Sequence, residues 1–178
     1  MKNKQILNLV IAGFCLAVAM VLPLLTGNVP TIGNMLCPMH IPVLLCGFLC
    51  GWQWGLAVGL IAPILRSFIF GMPPLYPNAL GMMFELAVYG LVAGLMYQKL
   101  AKKPVNVYIT LIAAMICGRI VWGIARFAMF GLVGTEFSFK AFLSGAVLTA
   151  WPGIILHILI IPPIVIAVEK AFKGKELS

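Results

Sequence analysis

The chain has three arginines, Arg66, Arg119 and Arg126, and each lies inside an apolar stretch. A guanidinium stays charged, meets a carboxylate through two parallel N–H···O bonds and stacks on flat rings. Within a membrane helix such a charge costs roughly 2.5–3.5 kcal/mol even on the mildest insertion scale, and it persists mainly where it faces protein, a wet cavity or a ligand. Arg119, Trp122 and Arg126 are spaced i, i+3, i+7 and so share one helical face. That face offers two cations beside a flat apolar wall, which suits an anionic solute. With a rise of 1.5 Å per residue, Arg126 falls about 8 Å below the outer end of its helix and Arg119 falls near mid-membrane.

Glu85 is the acid that lies deep in an apolar run, about 10 Å below the outer end of its helix. It shares a face with Asn78, Met82 and Tyr89. Either it contacts a ligand amine or hydroxyl, or it neutralises an arginine. Arg66 is its expected partner, since it lies at similar depth on the preceding helix across a short loop. Three arginines less one glutamate leave a surplus of +2 in the outer half, which again favours an anion or a solute with several carbonyl acceptors.

Other chemistry-bearing residues have plainer alternatives. His157 lies mid-helix, where a packed hydrogen-bonding role competes with ligand contact. Trp151 can wall a pocket or anchor at the membrane interface. His40 opens a helix, and packing there accounts for it. Cys15, Cys37, Cys46, Cys50 and Cys117 show no disulfide framework, and Cys46 and Cys50 lack a third metal ligand apart from His40. The sequence contains no phosphate-binding Gly-x-x-x-x-Gly-Lys loop, no HExxH and no nucleophile–base pair, so no metal, cofactor or enzymatic activity is expected. One deep carboxylate is too few for ordinary ion coupling.

These residues need a membrane scaffold. The chain is 63% hydrophobic and 9% charged, against about 25% charged for a soluble domain. Its net charge of +8 is dispersed among apolar runs, so nucleic acid is not a partner and membrane lipid is. The apolar runs predict an all-α integral membrane domain over residues 1–178, with six helices at Ile6–Leu25, Met39–Cys50, Leu56–Phe70, Asn78–Gln98, Val105–Gly131 and Ala141–Lys170. The segment Gly51-Trp-Gln-Trp-Gly55 makes the turn between the second and third. Lysine bias sets orientation: Lys2, Lys4, Lys99, Lys102, Lys103, Lys170, Lys173 and Lys175 fall on one side and Lys140 on the other. Eight against one places both termini in the cytoplasm. The outer connections are then Thr26–Pro38, Gly71–Pro77 and Leu132–Lys140, suited to capping a pocket. Gly13 and Ala17 make a small-xxx-small pair where another helix can approach, either within this chain or from a partner.

Taken together, the chain resembles the substrate-binding S components of energy-coupling factor (ECF) vitamin transporters. The resemblance covers nearly the whole length. It rests on the six short spans, the Gly13/Ala17 stripe, and the order of four passages: Pro38-Met-His-Ile-Pro-Val-Leu-Leu-Cys-Gly-Phe-Leu-Cys-Gly, Gly71-Met-Pro-Pro, Phe84-Glu-Leu-Ala-Val-Tyr-Gly-Leu-Val-Ala-Gly and Trp151-Pro-Gly-Ile-Ile-Leu-His. It implies a subunit of the bacterial plasma membrane that binds a vitamin-like solute from outside. Such a subunit docks through the first-helix stripe on a T subunit driven by two ABC-type ATPases, and topples to release the solute inside. Glycine stands at the first position of the stripe, where the family usually has alanine. The implied pocket lies between the first outer loop and the outer halves of helices four to six. Asn78, Glu85, Tyr89, Arg119, Trp122, Arg126, Trp151 and His157 are its candidate residues. The resemblance does not name the solute. The arginine surplus favours pantothenate, then folate, then a cobalamin- or queuosine-type compound. A stand-alone carrier or channel for an organic anion is the alternative.

Overall fold

The computed structural model describes residues 2–26, 35–132, 144 and 149–171. Its helices are α1 (Lys2–Val21), α2 (His40–Cys50), α3 (Trp52–Phe70), α4 (Leu80–Lys99), α5 (Pro104–Leu132) and α6 (Trp151–Ala171). A 3₁₀ turn, Leu22–Thr26, extends α1, and a π-type turn, Leu75–Ala79, leads into α4. Much of the first and third outer connections, together with Lys140, Lys173 and Lys175, lies outside the described residues. So does most of the expected start of the sixth helix. The described part of that helix opens at Trp151 after a turn at Thr149–Ala150.

Five of the described helices are long and apolar enough to cross a bilayer, while α2 has 11 residues. At 1.5 Å per residue α2 covers about 17 Å, roughly half of a hydrocarbon core. The short second helix expected at Met39–Cys50 is thus present as α2, within one residue of its expected bounds. The turn after it is tighter than the Gly-Trp-Gln-Trp-Gly segment suggests. Gly51 alone makes it, with φ at 91°, and α3 begins at Trp52. Only glycine occupies that backbone region without strain.

Helix α4 lies at the centre, packed against α2, α3 and α5. Glycines let the backbones meet there. A Cβ placed on Gly47 would stand 2.6 Å from the Gly90 carbonyl oxygen, and one on Gly90 would run into the backbone of Gly55. Such close approach replaces hydrophobic driving force as the glue between helices in lipid. We expect Gly90→Val to destabilise the bundle by about 3 kcal/mol, because backbone rather than a pliable side chain must move. Fluorescence-detected size-exclusion chromatography would show the loss of a monodisperse peak.

Larger apolar side chains fill the rest. Leu44 and Phe48 of α2, Tyr97 of α4, Leu111 of α5 and Ile161 and Val165 of α6 form one cluster. Outward, Ile6, Val10 and Phe14 on α1 and Ile116, Ile120, Ile124 and Phe127 on α5 are exposed at helical spacing, as lipid-facing stripes require. Pro104 and Pro152 sit in the first turns of α5 and α6, where a missing N–H is harmless. On the cytoplasmic side by the lysine rule, Lys102 lies 3.6 Å from Glu169 and 3.8 Å above the Tyr97 ring, fastening the α4–α5 link to α6. Burial pulls the Lys102 pKa down, and Glu169 opposes that shift. The pair is exposed enough to contribute no more than about 1 kcal/mol.

Candidate functional site

Glu85 and Tyr89 are one helical turn apart on α4 and project from the same face. Both are almost wholly buried, and the tyrosine hydroxyl is hydrogen-bonded to the carboxyl group. Opposite them on α5, Gly118 leaves space that the Tyr89 ring occupies; a Cβ there would overlap the ring. One residue further along α5, Arg119 brings Nη1 to 3.1 Å from Glu85 Oε1. The pair is thus set by the register of α4 on α5.

The third wall is a buried turn preceding α2. Cys37 has φ at 47°, uncommon for a residue with a side chain, and its carbonyl oxygen points inward. It accepts from the His40 backbone N–H at 3.0 Å. It also faces His40 Nδ1 at 3.1 Å and His157 Nε2 at 3.2 Å. The two imidazoles stack with centroids 5.8 Å apart, and His40 meets the edge of Tyr89 at 5.2 Å. His40 Nε2 reaches to 3.4 Å from Glu85 Oε1, while Arg119 Nη2 donates to Cys37 Sγ at 3.6 Å. Non-helical backbone at this depth is tolerable only when protein satisfies its carbonyl; here two histidines do so.

A second cluster lies nearer the outer end. Arg126 Nη2 donates to Asn78 Oδ1 at 2.5 Å, and its guanidinium sits 5.1 Å from the Trp122 ring centre and 5.9 Å from that of Phe130. The Tyr76 hydroxyl donates to the Met129 carbonyl at 2.7 Å, tying the turn before α4 to α5. Among the described residues, the Nε–H groups of Arg119 and Arg126 are both buried and without a hydrogen-bond acceptor. Donors of that kind cost free energy unless something accepts from them; Arg119 already pairs with Glu85, so a ligand with acceptor oxygens suits the Arg126 position.

The structure therefore divides the expected site. Glu85, Tyr89, Arg119 and His157 converge on the Cys37 turn, and Asn78, Trp122 and Arg126 form the outer cluster. Trp151 is 55% exposed at the start of α6, in the setting of an interfacial anchor. The expected Arg66–Glu85 pair is replaced. Glu85 takes Arg119 and His40, whereas Arg66 donates to the Met20 carbonyl and lies 4.9 Å from the centre of the Phe70 ring. Similar depth and a short loop did not decide the pairing, because α3 presents Arg66 toward α1. The role of His40 was missed. Pro38 and Pro42 around it were the available signal that the chain breaks helix and turns there. Among the described residues no group of three His, Cys, Asp or Glu side chains converges as a metal site would.

Comparison with known proteins adds one finding. The family described as ECF transporter, substrate-specific component, matches residues 7–165. No curated protein and no solved structure matches the chain.

Proposed function

Since this chain belongs to the substrate-specific components of ECF transporters, we propose that it captures a small anionic micronutrient from outside at Arg126, for ATP-driven uptake. It is a multi-pass protein of the bacterial plasma membrane, and its family works with a T subunit and ATPase subunits. The observation that carries the anionic reading is the setting of Arg126. Among the described residues its contacts are a neutral amide and two aromatic rings, and its buried Nε–H has no acceptor. Arg119, by contrast, is engaged by Glu85. One guanidinium left to a ligand favours one carboxylate over two, which supports pantothenate ahead of folate and of a cobalamin- or queuosine-type compound.

Docking falls to α1. Gly13 and Ala17 lie on its exposed face, and no described residue stands within 4 Å of a Cβ built on Gly13. This favours a partner helix over a sister helix as the occupant of the stripe. Tagged protein co-expressed with the T subunit and two ATPases of its source should retrieve all three. Gly13→Leu should abolish that recovery and leave the melting temperature unchanged, because the added side chain meets open space. Equal recovery by both proteins would remove the stripe from the docking surface. Failure of the wild type to retrieve any partner would count against the assembly.

A further inference from the structure

The hydrogen-bond directions around Cys37 determine where protons sit. A carbonyl oxygen only accepts, so each ring nitrogen facing it carries a hydrogen. His157 is thereby fixed with its proton on Nε2, and its Nδ1 is buried and without a partner among the described residues. A second proton there would be an uncompensated buried charge, so His157 is neutral. His40 is fixed with a proton on Nδ1. In the neutral ring that assignment leaves Nε2 a bare acceptor. Yet Nε2 faces Glu85 Oε1 at 3.4 Å, and among the described residues neither atom has a hydrogen-bond partner, although Arg119 Nη1 lies 3.1 Å from the same oxygen. Two acceptors cannot face one another in a buried site without a hydrogen between them.

We propose that the His40 Nε2–Glu85 Oε1 edge is a proton-binding site that holds one proton and thereby fastens the Cys37 turn to α4. The proton makes the edge either an imidazolium–carboxylate pair or an imidazole bonded to a carboxylic acid, and both forms have the same proton count. The groups that face this edge are Glu85 and Tyr89 from α4, Arg119 from α5, His157 from α6 and the Cys37 thiol from the turn. Arg119 shares the same carboxylate oxygen at 3.1 Å, so the centre carries one net positive charge with the proton and none without it. His40 is on this reading a positioning residue: it holds the turn through Nδ1 and holds α4 through Nε2.

The chain's two histidines make the test direct. Full-length protein in lipid nanodiscs, labelled with ring-¹⁵N histidine and side-chain ¹³C-carboxyl glutamate, is studied by NMR at neutral pH. The His157→Gln variant assigns the signals. His157 is expected to show one N–H and one bare nitrogen. His40 is expected to show two N–H groups, or else an Nδ1–H with a bare Nε2 while one glutamate carboxyl is protonated. Either pattern supports the site. A bare His40 Nε2 with every carboxyl ionised overturns it, and so does a bare Nδ1. Glu85→Gln supplies an independent arm, since its amide N–H can donate to a bare Nε2. His40 should then become the neutral Nδ1–H ring, and a ring that stays doubly protonated counts against the assignment. The wild-type spectra decide even if that variant does not fold, and no outcome bears on solute capture at Arg126.

Discussion

Glu85→Leu is expected to destabilise the protein by about 3–5 kcal/mol, the range for breaking a buried ion pair from one side. The loss comes less from the missing attraction than from Arg119, left charged and largely buried against the Cys37 sulfur. Arg119→Leu should be nearly as damaging, because it leaves Glu85, which is 1% exposed, with His40 as its remaining charge partner. The double variant Glu85→Leu/Arg119→Leu should recover most of the stability, since removing both members leaves no unpaired charge. Denaturation in mixed micelles, with the four proteins compared as a double-mutant cycle, measures this coupling. Additive losses in the double variant would mean that the two residues do not act as a pair. This expectation also revises the role of Arg119. The sequence alone suggests that its removal weakens ligand binding in a folded protein, whereas its contacts assign it to holding the fold.

Arg126→Ala is expected to leave the fold intact and weaken capture of an anionic solute by roughly 10- to 150-fold. That range corresponds to losing a charge-assisted hydrogen-bonding group worth about 1.5–3 kcal/mol. Arg126→Lys should fall between the two, retaining the charge but not the planar fork that meets a carboxylate with two bonds. Titration calorimetry with pantothenate as the first probe, run beside a melting curve for each protein, separates weakened binding from unfolding. If Arg126→Ala bound the probe as tightly as the wild type, the guanidinium would belong to the scaffold.

The helical scaffold was readable because membrane physics constrains it tightly. Apolar length marks the spans, lysine bias orients them, and both depend on residue type rather than on contacts. The short α2 was legible as well, because glycines break the apolar run after Cys50. The tightness of the turn was not, since Gly51 alone makes it and Trp52 already begins α3. The importance of the arginines was equally legible from type alone. Which of them meets Glu85 was not, because the pairing depends on how α5 seats against α4 at Gly118 and Tyr89, a relation invisible to helical spacing. His157 was singled out, but its partner, a carbonyl 120 residues away in a buried turn, carries no side-chain signature. His40 was set aside as a packing residue for the same reason. Its function is to satisfy backbone, and backbone does not show in a sequence.

The most direct test of solute capture at Arg126 is native mass spectrometry of the full-length protein, purified gently from its own membrane, beside Arg126→Ala prepared identically. The wild type should carry a small bound species that is anionic when released, and the variant should have lost it while keeping the same melting curve. A bound species that is cationic, or that the variant retains in equal amount, would contradict anion capture at Arg126.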